Sequence, residues 1–144
     1  MPEQSAFTAR LVRIDHALFL TGALVHLILV CIQPFLAGWS LDGDGNAFDW
    51  HGVNGSIILT ISMILIPVSV LWWRPGRGTP WAPALVVLLF AAETFQLGMG
   101  YADILVVHIP LGVGIVLGSF VLFGLTLVRR RRTVASGPQR RTVS

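Results

Sequence analysis

The sequence predicts an all-α protein, an integral membrane four-helix bundle, from its composition, its apolar segments and the placement of its arginines. Of the 144 residues, 54% are hydrophobic and 12% are charged, about half the share of charge that a soluble domain carries. A bilayer core needs about 20 apolar residues per helix. Four segments meet this need, over about 16–38, 53–73, 80–100 and 104–128. A transmembrane domain covering residues 1–128 therefore leaves no room for a soluble domain.

The basic residues, all ten of them arginines, fall on one side of the four predicted spans. They precede the first span, separate the second from the third, or follow the fourth: Arg10, Arg13, Arg74, Arg77, Arg129, Arg130, Arg131, Arg132, Arg140 and Arg141. The positive-inside rule then places both termini in the cytoplasm of a bacterial-type inner (plasma) membrane. The basic balance reflects this topology and contact with anionic lipid, so we expect no nucleic-acid partner and interpret 129–144 as a basic disordered cytoplasmic tail.

The connections between the spans are predicted to be short, except for one. Residues 39–50 contain several Gly and Asp residues and are expected to form an outer loop with turns. Residues 74–80 are expected to form a tight turn on the cytoplasmic side. At this inner edge, His16 adjoins Asp15, and we expect a solvated pair there.

Two histidines open even-numbered spans and are followed by matching small residues. His51 opens the second span and His108 opens the fourth. Small residues follow each histidine after four, eleven and eighteen positions: Gly55, Ser62 and Ser69 after the first, and Gly112, Ser119 and Thr126 after the second. These offsets fall close to one stripe of an α-helix.

The same pattern indicates an internal repeat of two helical hairpins. Both odd-numbered spans end with a glutamine and then small residues, with Gln33 in the first and Gln96 in the third. Both hairpins start on the same side of the membrane, so the repeat is parallel, with its pseudo-twofold axis along the membrane normal. His51 and His108 are then predicted to face each other near the outer surface.

A facing pair of neutral imidazoles from two helices is typical of haem b sites in membranes. His51 and His108 would be the axial ligands of the metal. Gly55 and Gly112, one turn below each ligand, would leave the slot that a flat porphyrin needs. The serines and threonine further along each stripe would either donate hydrogen bonds or pack the helices.

A ligating histidine donates its other N–H to a second group. Asp49, Asn54 and Asp103 are near the two histidines in sequence and are expected to serve. A zinc or copper ion would need a third or fourth ligand, which only the aspartates or a displaced His26 could provide. The opposing interpretation is structural, because repeated small residues also mediate ordinary packing of transmembrane helices.

The two motifs resemble a known family. The segments His51-Gly52-Val53-Asn54-Gly55 and His108-Ile109-Pro110-Leu111-Gly112, placed in a four-span plan, are similar to one half of haem A synthase and to small four-span bacterial membrane proteins. In haem A synthase each half is a four-helix bundle, and histidines on its even-numbered helices ligate haem near the outer surface. The resemblance implies haem binding by His51 and His108. This chain has one half, no cysteine pair in its first outer loop and no glutamate before His51, so the resemblance is not extended to the haem-oxidising reaction.

A second polar group is predicted in the middle of the membrane. Glu93 is the one acidic residue inside a span, and it shares a helix face with Gln96. His26 lies in the middle of the first span and shares a face with Gln33. Ionisable groups at this depth are expensive and are paired or functional. One interpretation is a buried carboxyl group bonded to His26 or Thr94, and the other is a polar relay for protons or a quinone-facing patch.

Three functions remain open from the sequence. The first is a small b-type cytochrome-like protein that binds one haem b, in electron transfer or haem handling, with a quinone or a redox protein as partner. The second is a non-catalytic accessory or scaffold subunit of a larger membrane complex, or a homo-oligomer. The third is a small proton-coupled transporter that uses His26 and Glu93. The sequence leaves open whether the protein is an enzyme, but it has no nucleophile motif, phosphate loop or metalloprotease motif.

Overall fold

A computed structural model of the chain describes residues 2–74 and 78–127 and contains four α-helices. They are α1 (Pro2–Leu41), α2 (Gly45–Trp73), α3 (Trp81–Tyr101) and α4 (Leu105–Leu127). No strand occurs in these two ranges. The all-α class and the number of helices are as predicted.

Each helix contains an apolar stretch long enough to cross a membrane. These stretches are Arg13–Leu41, Gly45–Trp73, Trp81–Tyr101 and Leu105–Leu127, and they contain 29, 29, 21 and 23 residues. About 20 residues suffice for the hydrocarbon core, so α1 and α2 are long enough to extend past it. The predicted multi-pass character is confirmed to this extent, by helix length and composition.

The four helices form a ring in which each one packs against two others. α1 and α3 each contact both α2 and α4. Within the described residues α1 and α3 make no close backbone contact, and neither do α2 and α4, so these pairs lie on the diagonals of the bundle. Side chains on opposite helices can therefore meet only at the centre.

Apolar side chains fill the bundle interior along most of its length. The buried cluster contains Phe19, Ala23, Val30, Ile58, Leu65, Trp72, Ala82, Val86, Leu89, Ile115 and Leu122. The outer surface is apolar as well, with Phe35 and Val106 among the most exposed side chains, at 78% and 81%. A helix that is apolar on all sides is one that a membrane or a large core surrounds.

The predicted outer loop over residues 39–50 is wrong in extent, because helix occupies most of it. α1 continues to Leu41 and α2 begins at Gly45, so only residues 42–44 connect them. Gly43 makes the reversal with φ of +94°, a conformation that glycine adopts without steric cost. Asp44 then caps α2, because its Oδ1 accepts a hydrogen bond from the Ala47 N–H at 3.1 Å.

The other connections have the predicted brevity where the structure describes them. Residues 102–104 join α3 to α4. The turn predicted at 74–80 lies partly outside the described residues, as does the whole tail at 129–144. The loops 42–44 and 102–104 lie at the same end of the bundle, which we call the histidine end. The opposite end is the arginine end.

Candidate histidine site

His51 and His108 lie together at the histidine end of the bundle. His51 is in the second turn of α2 and His108 is in the first turn of α4. Although these helices are diagonal, the two ring centroids are 6.0 Å apart, with the ring planes inclined at 58°. Both residues are half-buried. Among the hydrogen bonds of the described residues, none joins one imidazole directly to the other.

The His108 ring is held by the main chain of α3. Its Nδ1 lies 2.9 Å from the carbonyl oxygen of Gln96. A carbonyl can only accept, so Nδ1 donates, and in the neutral imidazole Nε2 then keeps its lone pair free. Gly100 lets the ring lie this close to α3, since a Cβ there would be 2.9 Å from His108 Cε1.

His51 is held through its backbone and not through its ring. Gln33 Nε2 donates to the His51 carbonyl oxygen at 3.2 Å. The ring Nδ1 of His51 is buried and has no hydrogen-bond partner in the described part of the chain. The two histidines therefore differ at Nδ1. The Nδ1 of His108 is hydrogen-bonded to the Gln96 carbonyl, whereas the Nδ1 of His51 has no partner among the described residues.

The partners expected for the histidines are not the ones that the structure provides. The prediction named Asp49, Asn54 and Asp103, whereas Gln96 supplies the acceptor for His108 through its main chain. Asn54 Nδ2 instead donates to the carbonyl oxygen of Leu29 at 3.0 Å and joins α2 to α1. Sequence patterns report side chains, so a carbonyl acceptor of this kind leaves no signal in them.

The two predicted slot glycines are each covered by a glutamine amide. A Cβ on Gly55 would be 3.1 Å from Gln33 Nε2, and a Cβ on Gly112 would be 2.9 Å from Gln96 Nε2. The Oε1 atoms of Gln33 and Gln96 are buried and lack a partner among the described residues. Each glycine thus leaves space for a glutamine amide from a neighbouring helix. The two glutamines therefore lie about one helical turn from the histidine pair, on the side toward the bundle centre.

The hydroxyl groups further along the two stripes bond to their own helices. Ser69 donates to the Ile66 carbonyl at 2.7 Å. Ser119 and Thr126 likewise donate to carbonyls three or four residues earlier, at 2.7 and 2.6 Å. Because these residues are also buried, they serve helix packing, which is one of the two roles that the sequence allowed.

His26 and Glu93 meet at the centre of the bundle. His26 Nε2 lies 2.8 Å from Glu93 Oε1, and the two side chains are 0% and 5% exposed. They reach each other across the α1–α3 diagonal, not from adjacent helices. Thr94, the other partner considered for Glu93, donates to the Phe90 carbonyl instead.

His16 lies at the arginine end and is bonded to an aromatic residue, not paired in solvent with Asp15 as expected. Trp72 Nε1 donates to His16 Nδ1 at 2.9 Å. The Trp72 ring also packs on Phe19, with centroids 5.0 Å apart. Trp72 is buried, and its hydrogen bond to His16 joins α2 to α1.

The described residues contain no cluster of three or more His, Cys, Asp or Glu side chains that could hold a metal ion. A metal ion bound at the histidine pair would therefore need most of its ligands from a non-protein group, such as the four nitrogens of a porphyrin. No protein-family model, curated protein or solved structure matches this chain.

Proposed function

We propose that this protein is a small membrane cytochrome that binds one haem b between His51 and His108. One observation carries the proposal, the 6.0 Å between the ring centroids of two histidines on diagonal helices. A metal–imidazole bond is about 2 Å long, so two imidazoles on opposite sides of one metal have ring centres roughly 6 Å apart. The two rings already stand at that separation.

The chemistry of the donor atoms agrees with axial ligation. Neutral imidazole is a suitable ligand for iron, and the Gln96 carbonyl fixes the His108 tautomer that presents Nε2. A haem with two such ligands supplies one-electron transfer, and the protein adjusts its potential through burial and hydrogen bonding. A quinone in the bilayer or a redox protein would exchange the electron.

Accommodation of the porphyrin requires a defined movement of two side chains. The Gln33 and Gln96 amides now lie against Gly55 and Gly112, so they must rotate for the slot to open beside the glycines. The unbonded Oε1 atoms of both glutamines reduce the cost of this rotation, because only one hydrogen bond, from Gln33 to the His51 carbonyl, has to break. The expected cost is about 1 kcal/mol.

The matching contacts also support the proposed parallel repeat. In each hairpin a glutamine of the odd-numbered helix lies on the glycine four residues after the histidine of the even-numbered helix. Such equivalence is what a pseudo-twofold axis along the bundle would produce. With four spans in a bilayer and the arginines facing the cytoplasm, the haem would lie near the outer surface of a bacterial plasma membrane.

Spectroscopy of the purified full chain tests this function. The protein is produced with ample haem supply, and we expect a Soret band with the low-spin spectrum of bis-imidazole ligation. His51→Ala and His108→Ala should each remove that spectrum. His16→Ala is the matched control, because it removes a histidine at the other end of the bundle and should leave haem bound. Wild-type protein without haem, or haem retained by the double His51→Ala, His108→Ala variant, would contradict the proposal.

A further inference from the structure

The His26–Glu93 pair is buried inside the bundle, and each residue has one polar atom without a hydrogen-bond partner among the described residues. One contact of 2.8 Å joins His26 Nε2 to Glu93 Oε1. The other two polar atoms, His26 Nδ1 and Glu93 Oε2, are buried and have no partner among the described residues. Buried polar groups left in this way are normally satisfied by water or by a change of protonation. The pair therefore has two unused hydrogen-bonding positions.

Among the described residues, no other charged side chain forms an ion pair with His26 or Glu93. Within the described spans, α2 and α4 carry only Asp49, His51 and His108 as acidic or histidine residues, all near the histidine end. On α1 the titratable and charged residues toward the arginine end are Glu3, Arg10, Arg13, Asp15 and His16, and Cys31 is the one thiol. Tyr101 ends α3, which has no charged residue besides Glu93.

On α3 and α1, a glutamine follows each member of the pair toward the histidine end. Glu93 precedes Gln96 by three residues, about 4.5 Å along the helix axis, and the Gln96 carbonyl holds His108. On α1, Gln33 follows His26 by seven residues, about 10 Å, and donates to the His51 backbone. The Oε1 atoms of both glutamines are buried without a partner among the described residues and can accept hydrogen bonds from water.

We propose that the His26–Glu93 pair is a redox-linked proton site, which binds a proton more tightly when the histidine site takes up one electron. This inference rests on the proposed haem function. A one-electron donor, a quinol or a reduced redox protein, supplies the electron, and water at the histidine end supplies the proton. The electron removes one positive charge from the site, and the proton that the pair binds more tightly offsets part of this change.

Electrostatics inside a membrane favours this coupling. Uncompensated charge is costly in a low-dielectric interior, so loss of a positive charge at one buried site favours gain of a proton at another. At a separation of about 10 Å and an effective dielectric constant of about 20, one unit charge changes proton binding by about tenfold. For one electron, a tenfold effect equals about 59 mV. The midpoint potential should therefore fall by about 59 mV in total as the pH rises.

Redox titrations of the haem-loaded full chain at a series of pH values test the coupling. We expect the wild-type midpoint potential to fall with pH and the Glu93→Gln potential to be nearly independent of pH. Thr94→Val is the matched control on the next residue, where the side chain is exposed and bonds only its own helix, and it should behave as wild type. His26→Gln provides a second test from the other partner if Glu93→Gln does not assemble.

Infrared difference spectra between the oxidised and reduced protein give a readout that does not depend on electron-transfer activity. We expect a carboxyl signal that shifts in heavy water and is missing in Glu93→Gln. If the wild-type protein binds no haem, the proposed function fails and this inference fails with it. If haem is bound but both the pH dependence and the carboxyl signal persist in Glu93→Gln, the proton site is overturned while the haem site stands.

Discussion

At the scale of single residues, the position of the His108 ring depends on Gly100, which has no side chain. Gly100 lies against this ring, and its lack of a side chain allows Nδ1 to reach the Gln96 carbonyl at 2.9 Å. Gly98, two residues earlier, has no atom within 4 Å of the position where its Cβ would be. The two glycines are in the same helix turn and differ in this contact.

Gly100→Ala should weaken haem binding, whereas Gly98→Ala should not. The added methyl would lie 2.9 Å from His108 Cε1, so the ring must move and lose its bond to Gln96. Loss of a hydrogen bond behind a metal ligand typically reduces metal affinity by about 10-fold to 100-fold. Both changes improve helix propensity equally, so the ratio of haem to protein in the two variants isolates the ring contact. Equal haem content would show that the Gln96 bond has no role in ligation.

At the scale of the helices, α2 is defined at its histidine end by one capping aspartate. Asp44 is the N-cap, and its bond to the Ala47 N–H satisfies one of the amide groups that a helix start leaves free. This cap allows α2 to begin at Gly45 and to include the Asp49 and Trp50 segment that composition alone assigns to a loop. It also fixes the turn of α2 that positions His51.

Asp44→Ala should lower the free energy of unfolding by about 1 kcal/mol, the usual contribution of an N-cap side chain. Asp42→Ala removes the same charge from the same loop, and no side-chain hydrogen bond of Asp42 is found in the described residues, so little change is expected there. Unfolding of the detergent-purified protein, followed by circular dichroism, provides the comparison. A loss of equal size in both variants would mean that the charge, and not the cap, stabilises this end.

At the scale of the whole molecule, the ring order of the helices brings two pairs of polar residues to the bundle axis. His51 and His108 meet across one diagonal and His26 and Glu93 across the other. Adjacent helices pack mainly through apolar side chains, with polar contacts such as those of His16 and Asn54 between α1 and α2. These two pairs lie along the bundle axis, with the histidine pair at one end and the carboxyl–imidazole pair near the middle.

The proposed orientation predicts which ends a membrane-impermeant thiol reagent can reach in intact cells. After Cys31→Ser removes the native cysteine, Asp42→Cys at the histidine end should be labelled from outside. Ser144→Cys at the C-terminus should be labelled only after the membrane is opened, because the proposed orientation keeps the arginine-rich segments in the cytoplasm. The reverse pattern would put the histidine site on the cytoplasmic side and remove the argument for an outer haem.

The helices and the pairing of His51 with His108 were accessible from sequence because they rest on short-range rules. Apolar segment length fixes the number of spans, and a spacing of four, eleven and eighteen residues keeps small residues on the stripe of each histidine. The extent of the 39–50 loop was not accessible, because a single cap at Asp44 outweighed the Gly and Asp content. The partner of His108 was missed as well, because any residue type can supply a main-chain carbonyl.

By itself, the sequence determined that four apolar helices form and that two histidines open even-numbered helices. It also determined that the arginines come before the first apolar segment, between the second and third, and after the fourth. Each of these properties follows from the chain's own order and periodicity. Only the tertiary structure decided that α1 lies diagonal to α3, which joins His26 to Glu93, and that glutamine amides occupy the glycine faces. Contacts across a bundle axis depend on helix rotation and ring order, and these are set by the packing of all four helices together.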